Sequence, residues 1–236
     1  MANSILSISN LGAGYNGRNV VKGIDLDVFK GEIVGLVGPN GAGKTTLLET
    51  IAGINKSRSG TITWNNKSID TLTVMARRKL GMILVPQEAY IFPLMTVQAN
   101  LEVSGTLNKR MDSKKLIEYV FDVFSRLRDR TNQIANTLSG GERKMLAVAM
   151  GIVSNANLIV IDEPSIGLAP KMVTRLLENL KQITLDTGRT LLLAEQNTKI
   201  LTIADRIYGL EAGEIKFCDR TENIDEATVL NLYMGE

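Results

Sequence analysis

The chain has 236 residues, of which 44% are hydrophobic, so it is long enough to bury a substantial core. Its formal net charge of +2 argues against a nucleic-acid partner or a polybasic membrane anchor, and its single cysteine, Cys218, excludes an internal disulfide and fits a reducing cytosol. Because histidine is absent, catalysis has to rest on carboxylates, amides, lysine and a metal bound mainly through oxygen.

The first segment predicts an antiparallel layer of strands. Residues 5–8 and 24–28 alternate apolar and polar side chains, and turns rich in glycine and asparagine separate them. In one such turn lies Tyr15, which could stack on an adenine face or be an ordinary surface tyrosine. The sequence shows neither a bilayer-spanning run nor a signal peptide, so we expect any membrane association to come through a partner.

The stretch 38–46 reads Gly-Pro-Asn-Gly-Ala-Gly-Lys-Thr-Thr and fits the pattern of a phosphate-binding loop. It lies between a strand-like run and a helix-like run, so backbone N–H groups at the helix start would face one spot that suits a polyphosphate. Lys44 adds a charge for the outer phosphates, and the Thr45 hydroxyl is placed to bind the Mg²⁺ of a nucleotide. The pattern alone also fits a glycine-rich turn that contains a lysine.

After this loop the sequence alternates between strands and a helical region. Residues 81–85 form an apolar run of the kind found in a sheet covered on both faces, and helical periodicity follows from Glu88. The apolar residues of segment 90–94 either contact a transmembrane partner or form a small core under the helical region. Further on, Leu138-Ser-Gly-Gly-Glu142 precedes an apolar helical stripe, so the Ser139 hydroxyl and free N–H groups predict a second anion site.

Two later apolar strands are each followed by polar residues. Residues 158–161 lead into Asp162 and Glu163, and residues 191–194 lead into Glu195 and Gln196. The carboxyl ends of parallel strands line the crevice in which open α/β sheets bind ligands, so we expect the two carboxylates of Asp162 and Glu163 to lie there. A helix from Pro170, two more strands and a terminal helix complete the chain.

In this order, the motifs resemble the ATP-binding subunit of ABC transporters over essentially the whole length. The resemblance implies one P-loop NTPase domain of the α/β class, with a mixed, mainly parallel sheet and an N-terminal antiparallel layer over residues 1–87 and 155–236. A helical subdomain would occupy residues 88–154. The implied activity is hydrolysis of ATP with Mg²⁺. The implied partners are a second ABC ATPase subunit, transmembrane permease subunits that hold the chain at the cytoplasmic face of the membrane and, indirectly, a solute-binding protein.

The resemblance also implies roles for single residues. Own-chain contacts with ATP fall on Tyr15, Gly38, Asn40, Gly41, Ala42, Gly43, Lys44, Thr45, Thr46 and Gln87. The metal site falls on Thr45, Gln87 and Asp162. Glu163 would be the general base and Gln196 a second catalytic residue that senses the γ-phosphate. The signature motif, which serves the ATP of the other subunit, falls on Ser139, Gly140, Gly141 and Glu142.

Particular strings narrow the resemblance. Segments 163–170 and 194–197 look like the ATP-binding subunits of importers for branched-chain and other hydrophobic amino acids or amides, whereas segment 86–92 also looks like the subunit that powers lipopolysaccharide export. The chain departs from the general pattern at Ala169, where many members have aspartate, and at the switch histidine, whose place Gln196 or Glu195 takes. A non-transport ABC scaffold is a further hypothesis, although the coiled coils, paired cassettes and basic extensions of such proteins are not visible.

Overall fold

The computed structural model describes residues 4–106 and 113–234, and all structural statements below concern those ranges. The strands are β1 (Ser4–Ala13), β2 (Val21–Phe29), β3 (Ile33–Val37), β4 (Ser57–Trp64), β5 (Lys67–Ser68), β6 (Met82–Val85), β7 (Leu158–Asp162), β8 (Thr190–Glu195), β9 (Arg206–Glu211) and β10 (Glu214–Arg220). The helices are α1 (Lys44–Ala52), α2 (Val74–Leu80), α3 (Val97–Gly105), α4 (Ser113–Val123), α5 (Ser125–Arg128), α6 (Gly140–Val153), α7 (Pro170–Thr187) and α8 (Glu226–Met234).

The predicted antiparallel layer is a four-stranded sheet in the order β2-β1-β4-β5. Ile8 of β1 lies opposite Leu26 of β2 and Ile62 of β4, so apolar residues of three strands share one face. All three are buried, as is Trp64 at the end of β4. The alternation that predicts half-buried strands therefore places one face of this layer against the rest of the protein.

The second sheet has six strands in the order β10-β9-β3-β8-β7-β6, and only β10 pairs antiparallel within it. Along β3, Val34 and Leu36 pack with the antiparallel layer, while Ile33 and Val37 pack with the helices of the opposite face. Strand β6 lies at the sheet edge, and its central residues stay partly exposed. The expected cover on both faces is therefore incomplete at this strand.

Parallel register brings the polar strand ends together. Val37, the last residue of β3, lies opposite Glu195 of β8, and Ala194 of β8 lies opposite Asp162 of β7. The loop that leaves β3 thus starts beside the carboxyl ends of two strands that are more than a hundred residues away in the chain. This juxtaposition builds the crevice that the sequence pattern predicts.

The helical region begins later than its periodicity indicates. Residues 88–96 carry no helix, and α3 starts at Val97 because the Thr96 hydroxyl caps it by accepting from the Ala99 N–H at 3.1 Å. The buried Asn100 side chain holds the preceding segment, since it accepts from the Phe92 N–H at 2.7 Å and donates to the Phe92 carbonyl at 3.0 Å. The prediction of helix from Glu88 is therefore wrong for this segment. Among the described helices, none combines the length and apolarity needed to cross a bilayer.

Candidate functional site

The predicted phosphate loop leaves β3 and enters α1 at Lys44. Its glycines are required by geometry, since Gly41 and Gly43 have φ of 80° and 108°, where side chains with a Cβ are strained. An added Cβ at Gly38 would lie 2.0 Å from the Leu210 carbonyl oxygen. The loop is thereby folded tightly against β9, and the first turn of α1 offers the N–H groups of an uncapped helix start to an anion.

Lys44 turns its side chain back over this loop. Its Nζ donates to the carbonyl oxygens of Gly38 at 2.7 Å and Pro39 at 3.0 Å, and lies 3.3 Å from Oε1 of Glu163. The residue is only 4% exposed, so its charge acts where solvent screening is weak. A buried ammonium held by carbonyl oxygens at the rim of the loop can exchange these contacts for phosphate oxygens.

Thr45 and Asp162 meet at the foot of α1. The Thr45 hydroxyl donates to Oδ2 of Asp162 at 2.7 Å, while Oδ1 of the same carboxylate is buried without a hydrogen-bond partner. Burial, with the nearby Glu163 charge, raises the pKa of Asp162 above its ordinary value even though the Thr45 hydrogen bond lowers it. An unsatisfied carboxylate oxygen next to a hydroxyl is an oxygen donor set that suits Mg²⁺.

Gln87 lies on the exposed segment that follows β6 and lines a narrow cleft together with Asp162 and Lys144. The described residues include no group of three or more histidine, cysteine or acidic side chains spaced to hold a metal. A magnesium ion bound by Thr45, Asp162 and Gln87 would therefore need further oxygen ligands, and Mg²⁺ at nucleotide sites takes them from water and phosphates.

Glu163 follows β7 in an unusual backbone conformation. Its φ is 45°, in the left-handed region that non-glycine residues rarely adopt. Several contacts hold it there: among them, its N–H donates to the Ala194 carbonyl at 2.9 Å, its carbonyl accepts from Lys144 Nζ at 3.2 Å, and its Oε1 accepts from Gln196 Nε2 at 2.6 Å. The carboxylate is thus held at the edge of the phosphate loop, where a general base for an attacking water would be needed.

The structure separates the two candidates for the switch position. Gln196 reaches over the crevice, where its Nε2 donates to Oδ1 of Asn40 at 2.7 Å as well as to Glu163. Glu195 points the other way and is 1% exposed, with its carboxylate accepting from the N–H and hydroxyl of Ser165 at 2.9 and 2.7 Å. Burial raises the pKa of Glu195, although its hydrogen bonds lower it. Only Gln196 is therefore placed to meet a ligand on the phosphate loop.

The signature segment forms the capped start of α6. The Ser139 hydroxyl accepts from the Glu142 N–H at 3.3 Å and donates to Oε2 of Glu142 at 2.8 Å, and the same oxygen accepts from the Ser139 N–H at 2.9 Å. Oε1 of Glu142 accepts from Arg130 Nε at 2.6 Å. Burial alone would raise the pKa of Glu142, but the hydrogen bonds from Ser139 and the charge of Arg130 lower it. Glu142 is therefore directed into its own subunit.

The two signature glycines differ in their surroundings. An added Cβ at Gly140 would meet no atom within 4 Å, whereas at Gly141 it would lie 2.5 Å from Cε of Met172. Gly140 thus presents open backbone at the helix start, and Gly141 lies against the flexible end of the Met172 side chain on α7. In the described part of the chain, no hydrogen bond or ion pair joins residues 139–142 to the phosphate loop. Within one chain, this segment is therefore not bonded to the phosphate loop.

The remaining candidates lie along the phosphate loop and α1. Thr46 and Ala42 are buried in the loop and the first turn of α1. Tyr15 is 45% exposed, and its hydroxyl donates to Oε2 of Glu49 on α1. Burial and this hydrogen bond raise the pKa of Tyr15. Its ring therefore stands beside the helix that leaves the loop, at the exposed side where a base could stack.

Sequence reasoning missed two residues of this site. Lys144 of α6 lies among Glu195, Glu163 and Asp162, and burial lowers its pKa while these carboxylates raise it. Ser165 binds Glu195 but has no motif of its own to mark it. The cap formed by Ser139 and Glu142 could have been predicted. Serine followed three residues later by glutamate, before an apolar helix, is the pattern of a capping box.

The family model of the ABC transporter domain matches residues 21–166 of the chain. The high-affinity branched-chain amino acid transport ATP-binding protein BraG of Pseudomonas aeruginosa is 36% identical over 233 residues, covering 98% of this chain and 100% of the relative. The lipopolysaccharide export system ATP-binding protein LptB of Escherichia coli K12 is 34% identical over 241 residues, covering 98% of this chain and 97% of the relative.

Solved structures show the same fold. The ADP conformation of an ATP-binding cassette of an ABC transporter superposes with a TM-score of 0.85 at 24% identity, covering 99% of this chain and 100% of that one. A dimeric cassette in a post-hydrolysis state with ADP and phosphate gives a TM-score of 0.82 at 23% identity, covering 92% and 98%. The predicted fold class, with a P-loop, a mixed sheet, an antiparallel layer and a helical region, is thereby confirmed.

Proposed function

The chain belongs to the ABC transporter family and is an ATP-binding ATPase subunit, and we propose that it powers an importer for branched-chain amino acids or related solutes. The single observation that carries the chemistry is the convergence of Lys44, Thr45 and Glu163 at the crevice with an unsatisfied oxygen of Asp162. The importer assignment is supported by the similarity to BraG, whose name states such transport, and by segments 163–170 and 194–197.

In the proposed hydrolysis, the chain mainly positions and neutralises charge, because phosphoryl transfer needs little covalent help. The loop N–H groups and Lys44 would hold the phosphates, and Thr45, Asp162 and Gln87 would hold Mg²⁺, which neutralises phosphate charge when bound. Glu163 would accept a proton from the attacking water, and Gln196 would donate a hydrogen bond to the γ-phosphate. Tyr15 would stack on the adenine.

We assign the signature segment to the ATP of a second subunit. In this chain, Ser139 and Gly140 start a helix whose N–H groups lie apart from the phosphate loop, so they need a site in another molecule to act on. A related cassette has been solved as a dimer with ADP and phosphate, which agrees with such an arrangement. Two chains would then enclose two nucleotides, and closure would depend on ATP.

An exposed apolar surface supports a membrane partner. Tyr90, Phe92 and Leu94 are 71%, 44% and 79% exposed, whereas Ile91 is partly buried and packs against the helical core. Beside them lies a cavity of about 290 Å³ between β6, α3 and α6, and a neighbouring cavity that shares Tyr90 is lined by the exposed Ile54 and Val74. Contiguous apolar surface of this kind marks interaction sites. We assign it to the transmembrane permease subunits, which would hold the chain at the cytoplasmic face of the membrane.

The transport assignment is tested by affinity purification of the tagged chain from solubilised membranes of its own source. We expect a polytopic membrane protein to co-purify with the wild type and to be lost with Leu94→Glu. Leu185→Glu is the matched control, since Leu185 is 71% exposed on α7, away from this surface. Equal recovery of the membrane protein with both variants would remove the surface from its role.

Export of lipopolysaccharide or a related lipid is the second candidate, because LptB is nearly as similar as BraG and segment 86–92 looks like the export subunit. Reconstitution of the purified complex in proteoliposomes separates the two. ATP-dependent uptake of labelled leucine, with the solute-binding protein added, supports import. Extraction of labelled lipopolysaccharide without leucine uptake supports export.

A further inference from the structure

Glu195 is a buried carboxylate between two segments of the proposed catalytic site. It is the last residue of β8, lies opposite Val37 at the start of the phosphate loop and is 1% exposed. None of the ion pairs among the described residues includes it. Burying a carboxylate costs free energy unless hydrogen bonds satisfy it. The donors that bond to Glu195 therefore identify the segments that it holds in place.

All of its hydrogen-bond donors belong to the two segments that carry Glu163 and Gln196. Oε1 accepts from the Ser165 N–H at 2.9 Å, and Oε2 accepts from the Ser165 hydroxyl at 2.7 Å and from the Gln196 N–H at 3.2 Å. Ser165 stands two residues after Glu163. One carboxylate thus ties the segment after β7 to the segment after β8.

This tie bears directly on the backbone of Glu163. The left-handed φ of Glu163 is held on one side by its N–H bond to the Ala194 carbonyl at 2.9 Å. On the other side, Ser165 is held by Glu195. Two of the contacts that hold this segment therefore come from the last two residues of β8, in addition to the Lys144 bond to the Glu163 carbonyl. Loss of either would let the Glu163 carboxylate shift, and misplacement of a reacting group by about 1 Å can cost about 10²-fold in rate.

We propose that Glu195 is a positioning residue for ATP hydrolysis, whose carboxylate joins the segments of Glu163 and Gln196 into one unit. This inference rests on the proposed roles of those two residues and adds a residue that acts through them. A purely structural Glu195 would instead support the fold and leave the rate of the folded enzyme unchanged. The two roles are separable because the ATP contacts on the phosphate loop do not pass through Glu195.

The test is steady-state ATP hydrolysis by Glu195→Gln, Ser165→Ala and the double variant, with ATP affinity measured in parallel. Glutamine keeps the shape but replaces one acceptor oxygen by an NH₂ group, which donates and cannot accept, so the side chain can no longer accept all three bonds from Ser165 and Gln196. We expect kcat to fall about 10- to 100-fold while ATP affinity stays within about threefold. Because Glu195 acts through Ser165, the two losses should not multiply, and the double variant should be about as slow as Glu195→Gln alone.

Two reference variants complete the design. Glu211→Gln changes another glutamate at the end of a strand of the same sheet and should leave kcat unchanged. Glu163→Gln tests the proposed site itself, and normal ATP hydrolysis by this variant would overturn the site assignment. If Glu163→Gln loses ATP hydrolysis while Glu195→Gln keeps a normal kcat, only the positioning role is overturned. A loss confined to ATP affinity, or single losses that multiply in the double variant, also overturns it. If Glu195→Gln does not fold, an unchanged kcat in Ser165→Ala overturns the positioning role, and a reduced kcat with normal ATP affinity supports it.

Discussion

The phosphate loop and the signature segment are both glycine-rich helix starts, but their surroundings differ. Around the phosphate loop, an ion pair joins Lys44 to Glu163, and hydrogen bonds join Thr45 to Asp162 and Gln196 to Glu163. At the signature segment, the polar side chains of Ser139 and Glu142 satisfy each other and the backbone of their own helix. The side chains at the phosphate loop can therefore act together on a ligand bound by one subunit. The side chains at the signature segment are bonded within their own chain, so a ligand for this segment has to come from another molecule.

Glu163→Gln should have the largest effect, because it removes the proposed base from the site at the phosphate loop. We expect turnover to fall by about 10² to 10⁴ while ATP still binds, and the variant to accumulate as an ATP-bound dimer. Hydrolysis rates and size-exclusion chromatography with ATP measure the two results. Full turnover would show that the phosphate-loop half does not depend on this carboxylate.

Ser139→Ala should impair the signature segment without changing the ATP affinity of the single chain. We expect kcat to fall by about 10², the usual cost of removing one donor to a developing charge. Nucleotide affinity below the concentration at which the chain dimerises should be that of the wild type. A weaker affinity under those conditions would contradict the separation of the two halves.

Gln196→Ala should have a smaller effect on turnover, about tenfold, which corresponds to one hydrogen bond to a charged group. The crevice retains Lys44 and the loop N–H groups, so nucleotide affinity should change little. The measurement is kcat and the dissociation constant of ATP, with Gln98→Ala as control, since the Gln98 side chain donates to Glu102 along α3. An unaltered kcat would show that this position is not used for the γ-phosphate.

Glu142→Gln should be the mildest change and should act on stability, with a loss of about 1 kcal/mol from the weakened cap. Because the pKa of Glu142 is lowered in the folded protein, the ionised form stabilises the fold. This contribution is present above 4.5, the ordinary value of a glutamate, and is lost as the pH falls through the lowered pKa. Denaturant unfolding of both proteins between pH 7 and pH 3 should therefore show their stabilities converge on acidification.

Parts of the molecule that depend on local chemistry could be predicted from the sequence. The glycines at 41 and 43 mark a backbone with positive φ, and the apolar strands before Asp162 and Glu195 indicate where carboxyl ends meet. The local pattern wrongly predicts a helix at segment 88–96. There the Asn100 side chain bonds to the N–H and carbonyl of Phe92, which a helix would pair with its own backbone.

Contacts that depend on the alignment of neighbouring strands could not be predicted from local sequence patterns. The bond from Gln196 to Asn40 joins residues 156 positions apart, and its existence depends on β8 lying beside β3 with one particular alignment. The same alignment decides that Glu195 points inward while Gln196 faces the loop. A shift of β8 by one residue would turn Glu195 to the opposite face of the sheet, since successive side chains of a strand point to opposite faces.

The amide of Gln196 has two hydrogens, and both are already in use, one on Asn40 and one on Glu163. A phosphate offers only acceptor oxygens, so it can bind this amide only by taking one of those hydrogens. If the hydrogen comes from Glu163, arrival of the phosphate and release of the carboxylate are a single exchange. The same exchange would leave Oε1 of Glu163 with Lys44 as a remaining partner, so the phosphate that is to be cleaved would itself release the base from the amide.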